Sequence, residues 1–261
     1  MNLSLEGRNA IVCGSSQGIG FAIAEELAIM GANCILLARN EHNLKTAVSQ
    51  LDISIRQSHK YYSVDFNELE SVRSLIKKIV SEQTIHILIN NSGGPNAGPI
   101  TDATEEEFLQ AFNQHLIVSH ILTTSVTDGM KKDGYGRIIN ILSTSVKTPL
   151  NNLGVSNTIR WSVAAWSKTL ANELGQFGIT VNNVLPGATA TERNTSLIEA
   201  NAKRQNATTD EIKETMIKAI PAKRFGEPVE IAAVAAFLAT PAASYVNGVS
   251  IPVDGGRTPS I

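Results

Sequence analysis

Disulfide chemistry has little to work with in this 261-residue chain, whose two cysteines, Cys13 and Cys34, sit inside apolar runs with no partner at metal-ligand spacing. Buried free thiols in a reducing compartment are the expectation, and a disulfide-stapled scaffold is excluded. A basic excess is also missing. Lys and Arg number 22 against 24 Asp and Glu, a net charge of −2, so the positive field that phosphate-backbone binding draws on is absent and nucleic acid is disfavoured as a partner. The longest apolar run, Ile231 to Ala239, falls far short of the roughly 20 residues that a membrane span needs. Glu6 and Arg8 interrupt the place where a signal peptide would carry its apolar stretch. A cytoplasmic protein without a membrane partner is therefore expected. No repeat, low-complexity tract or Pro/Ser-rich linker divides the chain, so residues 1–261 read as a single domain.

What is present is ample core-forming material, 43% AVILMFWYC, arranged in an α/β rhythm. Short apolar runs predict seven strands at Asn9 to Cys13, Asn33 to Ala38, Lys60 to Val64, Ile85 to Asn90, Arg137 to Ser143, Thr180 to Leu185 and Gly248 to Val253. Between them, helical periodicity predicts helices at Ile19 to Met30, Glu41 to Leu51, Glu68 to Ser81, Glu105 to Lys131, Asn157 to Phe177 and Val229 to Leu238. Helical crossovers between strands imply a parallel sheet covered on both faces. Gly31 marks the end of the first helix, Asn67 with Glu70 forms a capping-box pattern before the third, and Pro228 suits the first turn of the last. Thr191 to Lys218 is a polar insertion with two weak helical patterns, expected to be a lid.

Gly14, Gly18 and Gly20 lie in Cys13-Gly14-Ser15-Ser16-Gln17-Gly18-Ile19-Gly20, which joins the first strand to the first helix. Glycines there permit a tight turn and close approach of a pyrophosphate, whose charge is stabilised by free N–H groups and the helix dipole. The sequence here resembles the short-chain dehydrogenase/reductase family, and in particular its 3-oxoacyl-ACP reductase-like members, from about Leu5 to Gly256. Asn90-Asn91-Ser92-Gly93, Gly136 to Ile141, Pro186-Gly187 with Thr191, Arg224 to Ala232 and Val253 to Gly256 carry the resemblance further. It implies a Rossmann fold: a doubly wound, seven-stranded parallel sheet with helices on both faces. It also implies that Asp65 and Phe66 flank the adenine, Asn91, Ser92 and Gly93 its ribose, and Thr191 the carboxamide, with Ile19, Pro186 and Gly187 beside them. Ala38 stands where an acid would hold the ribose hydroxyls of NAD, and Arg39 follows it; with Ser15 and Ser16, this favours NADP(H).

The family's Asn-Ser-Tyr-Lys tetrad is matched only at Ser143. Counting from Ser143, and independently back from Leu170 to Leu174, the Tyr and Lys positions hold Ser156 and Arg160, and the Asn position falls at His115 with Asn113 close by. Ser is a weaker acid than a phenol, and the permanent charge of Arg suits binding better than proton relay. Lys147 and His115 are candidate substitute acids. Each has a plainer reading, Lys147 as a solvated charge or an anchor for an anionic substrate, His115 as a hydrogen-bonded helix residue. Tyr135 is expected at the opposite end of the sheet, and Tyr245 in the C-terminal pairing region. Ile159, Val163, Trp166, Leu170 and Leu174 form a stripe that packs on the sheet, while the family's use of this helix implies a homo-oligomer, a tetramer ahead of a dimer. Two functions follow. One is an NADP(H)-dependent oxidoreductase acting on a small carbonyl or secondary alcohol, such as a 3-oxoacyl thioester. The other is a catalytically impaired NADP(H)-binding homologue serving as sensor, scaffold or partner subunit.

Overall fold

The structure, a computed structural model, describes residues 1–260; Ile261, the last residue of the expected domain, lies outside the described residues. The apolar runs form a seven-stranded sheet: β1 (Asn9–Cys13), β2 (Asn33–Ala38), β3 (Lys60–Ser63), β4 (Ile87–Asn90), β5 (Gly136–Ile141), β6 (Ile179–Pro186) and β7 (Ser250–Val253). All adjacent pairs are parallel and their order is β3-β2-β1-β4-β5-β6-β7. The central strands are buried on both faces, which is why they read as continuous rather than alternating apolar runs. The helices are α1 (Gly18–Ile29), α2 (Glu41–Gln50), α3 (Leu69–Glu82), α4 (Glu105–Phe112), α5 (Val118–Asp133), α6 (Gly154–Leu174), α7 (Glu192–Gln205), α8 (Thr209–Lys218) and α9 (Pro228–Ala239).

One face of the sheet carries a core with Leu27, Leu44 and Leu238 from α1, α2 and α9; the other carries one with Ile76, Leu122 and Leu174 from α3, α5 and α6. Ile159, Val163 and Leu174 of the expected stripe are buried, and Leu170 and Trp166 are partly buried. Cys13 and Cys34 are free and buried, and burial pushes both thiols up to about 12, so neither is reactive. No described helix is long and apolar enough to cross a membrane. The strand order reverses between β1 and β4, and in such sheets the crevice at the carboxyl ends of the two diverging strands takes the ligand.

Three local expectations need correction. The helix expected over Glu105 to Lys131 is two helices joined by a π-helical turn, Asn113–Ile117, whose wider ring shifts the face presented by everything before it. Asn67 does not cap α3. Its backbone and side-chain nitrogens both donate to Asp65 Oδ1 (2.9 Å), and Glu68 takes the cap position without a side-chain bond. The polar insertion is better ordered than its weak periodicity suggests. Thr191 caps α7, Thr208 and Glu211 form a full capping box on α8, and the two helices share a small core of Ile198, Ala202 and Ile212.

Candidate active site

The switch point opens into a cleft of about 820 Å³ that runs from the β2 end past the glycine loop to α6 and α7. Gly14 has φ +58°, a region that disfavours side chains, and a methyl group built on it would lie 2.8 Å from Asn91 Nδ2. A methyl on Gly20 would collide with the Gly14 carbonyl, so the loop closes only with glycine at both places. Asn91 locks it from the β4 side, its Nδ2 donating to the carbonyls of Cys13 and Gly14, both at 3.2 Å. Gln17 occupies the cap position of α1 but no side chain caps that helix, so its first-turn N–H groups face the cleft without an internal acceptor. Ser16, Gly18, Ile19, Arg39, Asp65, Phe66, Asn91, Ser92, Gly93, Pro186, Gly187 and Thr191 all line the same cleft, and so does Ala38.

At the far end β5 and α6 bring together Ser143, Ser156 and Arg160. Ser143 Oγ accepts from Ser145 N–H at 3.1 Å, and Ser156 Oγ accepts from Arg160 Nε at 3.3 Å. Arg160 Nη1 also donates to the carbonyls of Ile141 (3.1 Å) and Leu142 (2.8 Å), which fixes the half-buried guanidinium beside the end of β5. Burial, together with the nearby positive charge of Arg193, pulls it down to about 10. Spacing of four residues on one helix accounts for the Ser156–Arg160 contact.

The same fold and cleft recur in known proteins. The family model for enoyl-(acyl carrier protein) reductase matches residues 14–258. The 3-oxoacyl-[acyl-carrier-protein] reductase FabG of Vibrio cholerae is 34% identical over 257 residues, covering 97% of this chain and 98% of that protein. The chain belongs to the short-chain dehydrogenase/reductase family. NADPH-dependent reductase BacG of Bacillus subtilis is 32% identical over 260 residues, covering 97% and 99% of the two chains. Among solved structures of the family, L-sorbose reductase from Gluconobacter frateurii, complexed with NADPH and L-sorbose, superposes with a TM-score of 0.92 at 29% identity, each chain covered in full (100%). The chain thus shares the Rossmann fold and the oxidoreductase character of FabG-like short-chain reductases.

Three candidate site residues of this family member lie away from the cleft, Lys147 and His115 in keeping with their plainer readings. Ser15 is fully buried and its hydroxyl donates to the Val12 carbonyl at 2.7 Å, so it turns away from the cleft and secures the loop. Lys147 is exposed after the short helical turn Thr144–Val146 and lines no part of the cleft. His115 lies buried in the π-helical turn, 2.8 Å from Ser92 Oγ through Nδ1, while its Nε2 has no partner among the described residues. Burial and then the charges of Arg160 and Arg193 push its imidazole from 6.5 down to about 3, so at neutral pH it is uncharged and cannot serve as a general acid. Tyr135 is at the opposite end of the sheet, as expected, with its hydroxyl on the Ala239 carbonyl (2.6 Å). Arg193, Glu192 and Gln17 also line the cleft and were not singled out from sequence. The available signal was position, since Glu192 and Arg193 open the helix that Thr191 caps.

Proposed function

We propose that the chain is an NADP(H)-dependent oxidoreductase interconverting a carbonyl compound and a secondary alcohol. The observation that carries this reading is a cleft with an uncapped helix amino end at its middle and the Ser143 and Ser156 hydroxyls at its far end. The residues fit a dinucleotide. A pyrophosphate would complete the donor set of α1 and lie against Ser16, Gly18 and Ile19, with Gly14 and Gly20 giving the room. Asp65 and Phe66 would flank the adenine, Asn91, Ser92 and Gly93 the ribose, and Pro186, Gly187 and Thr191 the nicotinamide end. Ala38 offers no acid to repel a 2′-phosphate, and the exposed Arg39 offers a planar pair of donors to it.

When bound, the reduced nucleotide supplies the hydride. The protein's part is at the carbonyl oxygen. Ser143 and Ser156 both receive a hydrogen bond from within the protein, from Ser145 N–H and Arg160 Nε, which leaves each hydroxyl proton free for the substrate oxygen. Two such donors stabilise the negative charge that develops there, while the neighbouring Arg160 adds its field. The proton itself comes from water ordered by these hydroxyls, because Ser156 replaces a phenol and His115 is uncharged. Ser-x-x-x-Arg thereby acts as a charge-stabilising pair in place of the proton relay of Tyr-x-x-x-Lys.

Fluorescence titration with NADPH and NADH, followed by NADPH consumption on a simple β-keto ester, tests the reading. NADPH is expected to bind more tightly, with Arg39→Asp reversing the order. Ser143→Ala is expected to lower turnover about 10²–10³-fold while NADPH affinity is kept. Tighter binding of NADH would remove the 2′-phosphate assignment. A protein that binds NADPH yet consumes none with any carbonyl would instead be a nucleotide-binding sensor or partner subunit.

A further inference from the structure

Arg160 and Arg193 enter the cleft from different elements, α6 and the first turn of α7, and converge on Gly94. A methyl group built on Gly94 would lie 3.3 Å from Arg193 Nη2 and 3.6 Å from Arg160 Nη2, so the missing side chain keeps open the space that both guanidinium groups face. Neither arginine forms an ion pair with any described carboxylate. The acids lining the cleft are Asp65, beside Phe66, and Glu192, whose carboxylate accepts from Gln17 Nε2 at 2.6 Å. Each guanidinium keeps some of its donors on carbonyls, Arg160 on Ile141 and Leu142, Arg193 on Pro95.

Two like charges drawn together without a counter-ion are a cost to the folded protein; Arg160 is displaced downward by burial first, and the charge of Arg193 adds to it. An anion seated between them removes it, and a carboxylate can accept paired N–H donors in the plane of a guanidinium. The amino end of α7, capped by Thr191, adds a favourable dipole. We propose that Arg193, backed by Arg160, forms a carboxylate-binding site within the cleft, and that the substrate is accordingly an oxo acid or hydroxy acid anion. The proposal rests on the carbonyl-reduction reading of the same cleft and adds the charge of what is reduced. Within the expected lid, 191–218, it gives α7 a chemical task, since the first turn of this helix carries Arg193 into the cleft.

The shared anion chemistry could be supplied by a substrate carboxylate or by a phosphate of the nucleotide, and one experiment separates them. Calorimetric titration of the full chain, with and without saturating NADP⁺, uses 4-oxopentanoate and its methyl ester as probes, which differ chiefly in the charge. The acid is expected to bind about 10–100-fold more tightly than the ester to the nucleotide-saturated protein. Arg193→Gln should abolish most of that preference without weakening NADP⁺ binding, and Arg193→Lys should keep part of it; Arg193 is on an exposed first turn, so folding is not at stake. Equal affinity for acid and ester, or a preference that survives Arg193→Gln, overturns the proposal. So does acid binding that vanishes when NADP⁺ saturates the protein, which would assign the arginines to a nucleotide phosphate. NADPH consumption on both probes keeps the two readings apart. Preference for the acid without turnover of either leaves the carboxylate site standing and removes carbonyl reduction of this class, whereas equal turnover of both removes the carboxylate site and keeps the reductase.

Discussion

His115 shows how a titratable residue can matter through the charge it is prevented from taking. Buried in the π-helical turn near Arg160 and Arg193, it titrates near 3 in the folded chain against 6.5 for the ordinary imidazole. Between those two values the unfolded chain binds the extra proton and the folded one does not, so stability rises with pH across the window and is lost as pH falls below 6.5. His86 contributes with the same sign, because burial chiefly lowers it as well. From pH 7 to pH 5 the His115 part is at most roughly 2 kcal/mol, at about 1.4 kcal/mol per pH unit once below 6.5. Thermal melts of the native protein and a His115→Gln variant at the two pH values should show the native chain losing more stability on acidification. Parallel losses would mean that His115 protonates without opposition. The burial of this residue was not legible in sequence. Periodicity placed it on a helix, but an unmarked change of helical pitch decided which face it shares.

Among the elements, the pair α7–α8 stands apart energetically. Its apolar contacts are a local cluster of Ile198, Ala202 and Ile212 with Met216 and Phe225 at the edge, separate from the two cores that flank the sheet. A unit that buries so little against the main body opens at a lower free energy than the strands do. Its tethers to the cleft are the Gln17–Glu192 and Arg193–Pro95 hydrogen bonds, one on the glycine loop and one on the segment after β4. Amide hydrogen exchange in 192–218 is therefore expected to be faster than in β1, β4 and β5, and to slow when NADPH is added. Protection equal to that of the strands without cofactor would contradict a gate. The strands themselves were legible because burial on both faces makes each a nearly unbroken apolar run, as in Ile87–Asn90 and Gly136–Ile141. The α7–α8 pair was legible only as polarity, since its order comes from caps and a three-residue core rather than from a wide apolar stripe. The Asn67–Glu70 pattern misled because Asp65 competes for the same donors two residues away.

Across the whole molecule the sheet divides its tasks between its two ends. Its carboxyl-end loops carry the cleft, and there the glycine spacing, Arg39, Ser143 and the Ser156–Arg160 pair could be read directly, because each is tied to a strand or helix boundary. Arg193 could not, since in sequence it is one charge among many and only the fold carries it to Gly94. At the amino end, Arg137 is buried and donates to the carbonyls of Gly136 (2.7 Å), Gly178 (3.1 Å) and Thr240 (3.3 Å). Its guanidinium carbon is 4.1 Å from the centre of the Tyr135 ring, and that of Arg8 is 4.0 Å from the same centre. This cluster joins the start of β5 to the loop before β6 and to the end of α9, so it closes the base of the fold without touching the cleft. Arg137→Met removes three hydrogen bonds to buried carbonyls, leaves those of Gly178 and Thr240 only their backbone donors, Gly136 N–H (3.4 Å) and Ala243 N–H (3.3 Å), and keeps most of the side-chain volume, at a cost of about 2–4 kcal/mol. In a chain of this size that corresponds to a fall of roughly 5–15 °C in Tm. NADPH affinity, measured by fluorescence well below the lowered Tm, should not change, because the cofactor end is built from β1, β4 and the opposite end of β5. A variant of unchanged Tm with weakened NADPH binding would instead show that the two ends are coupled through β5, and that the buried arginine acts on the site rather than on the base.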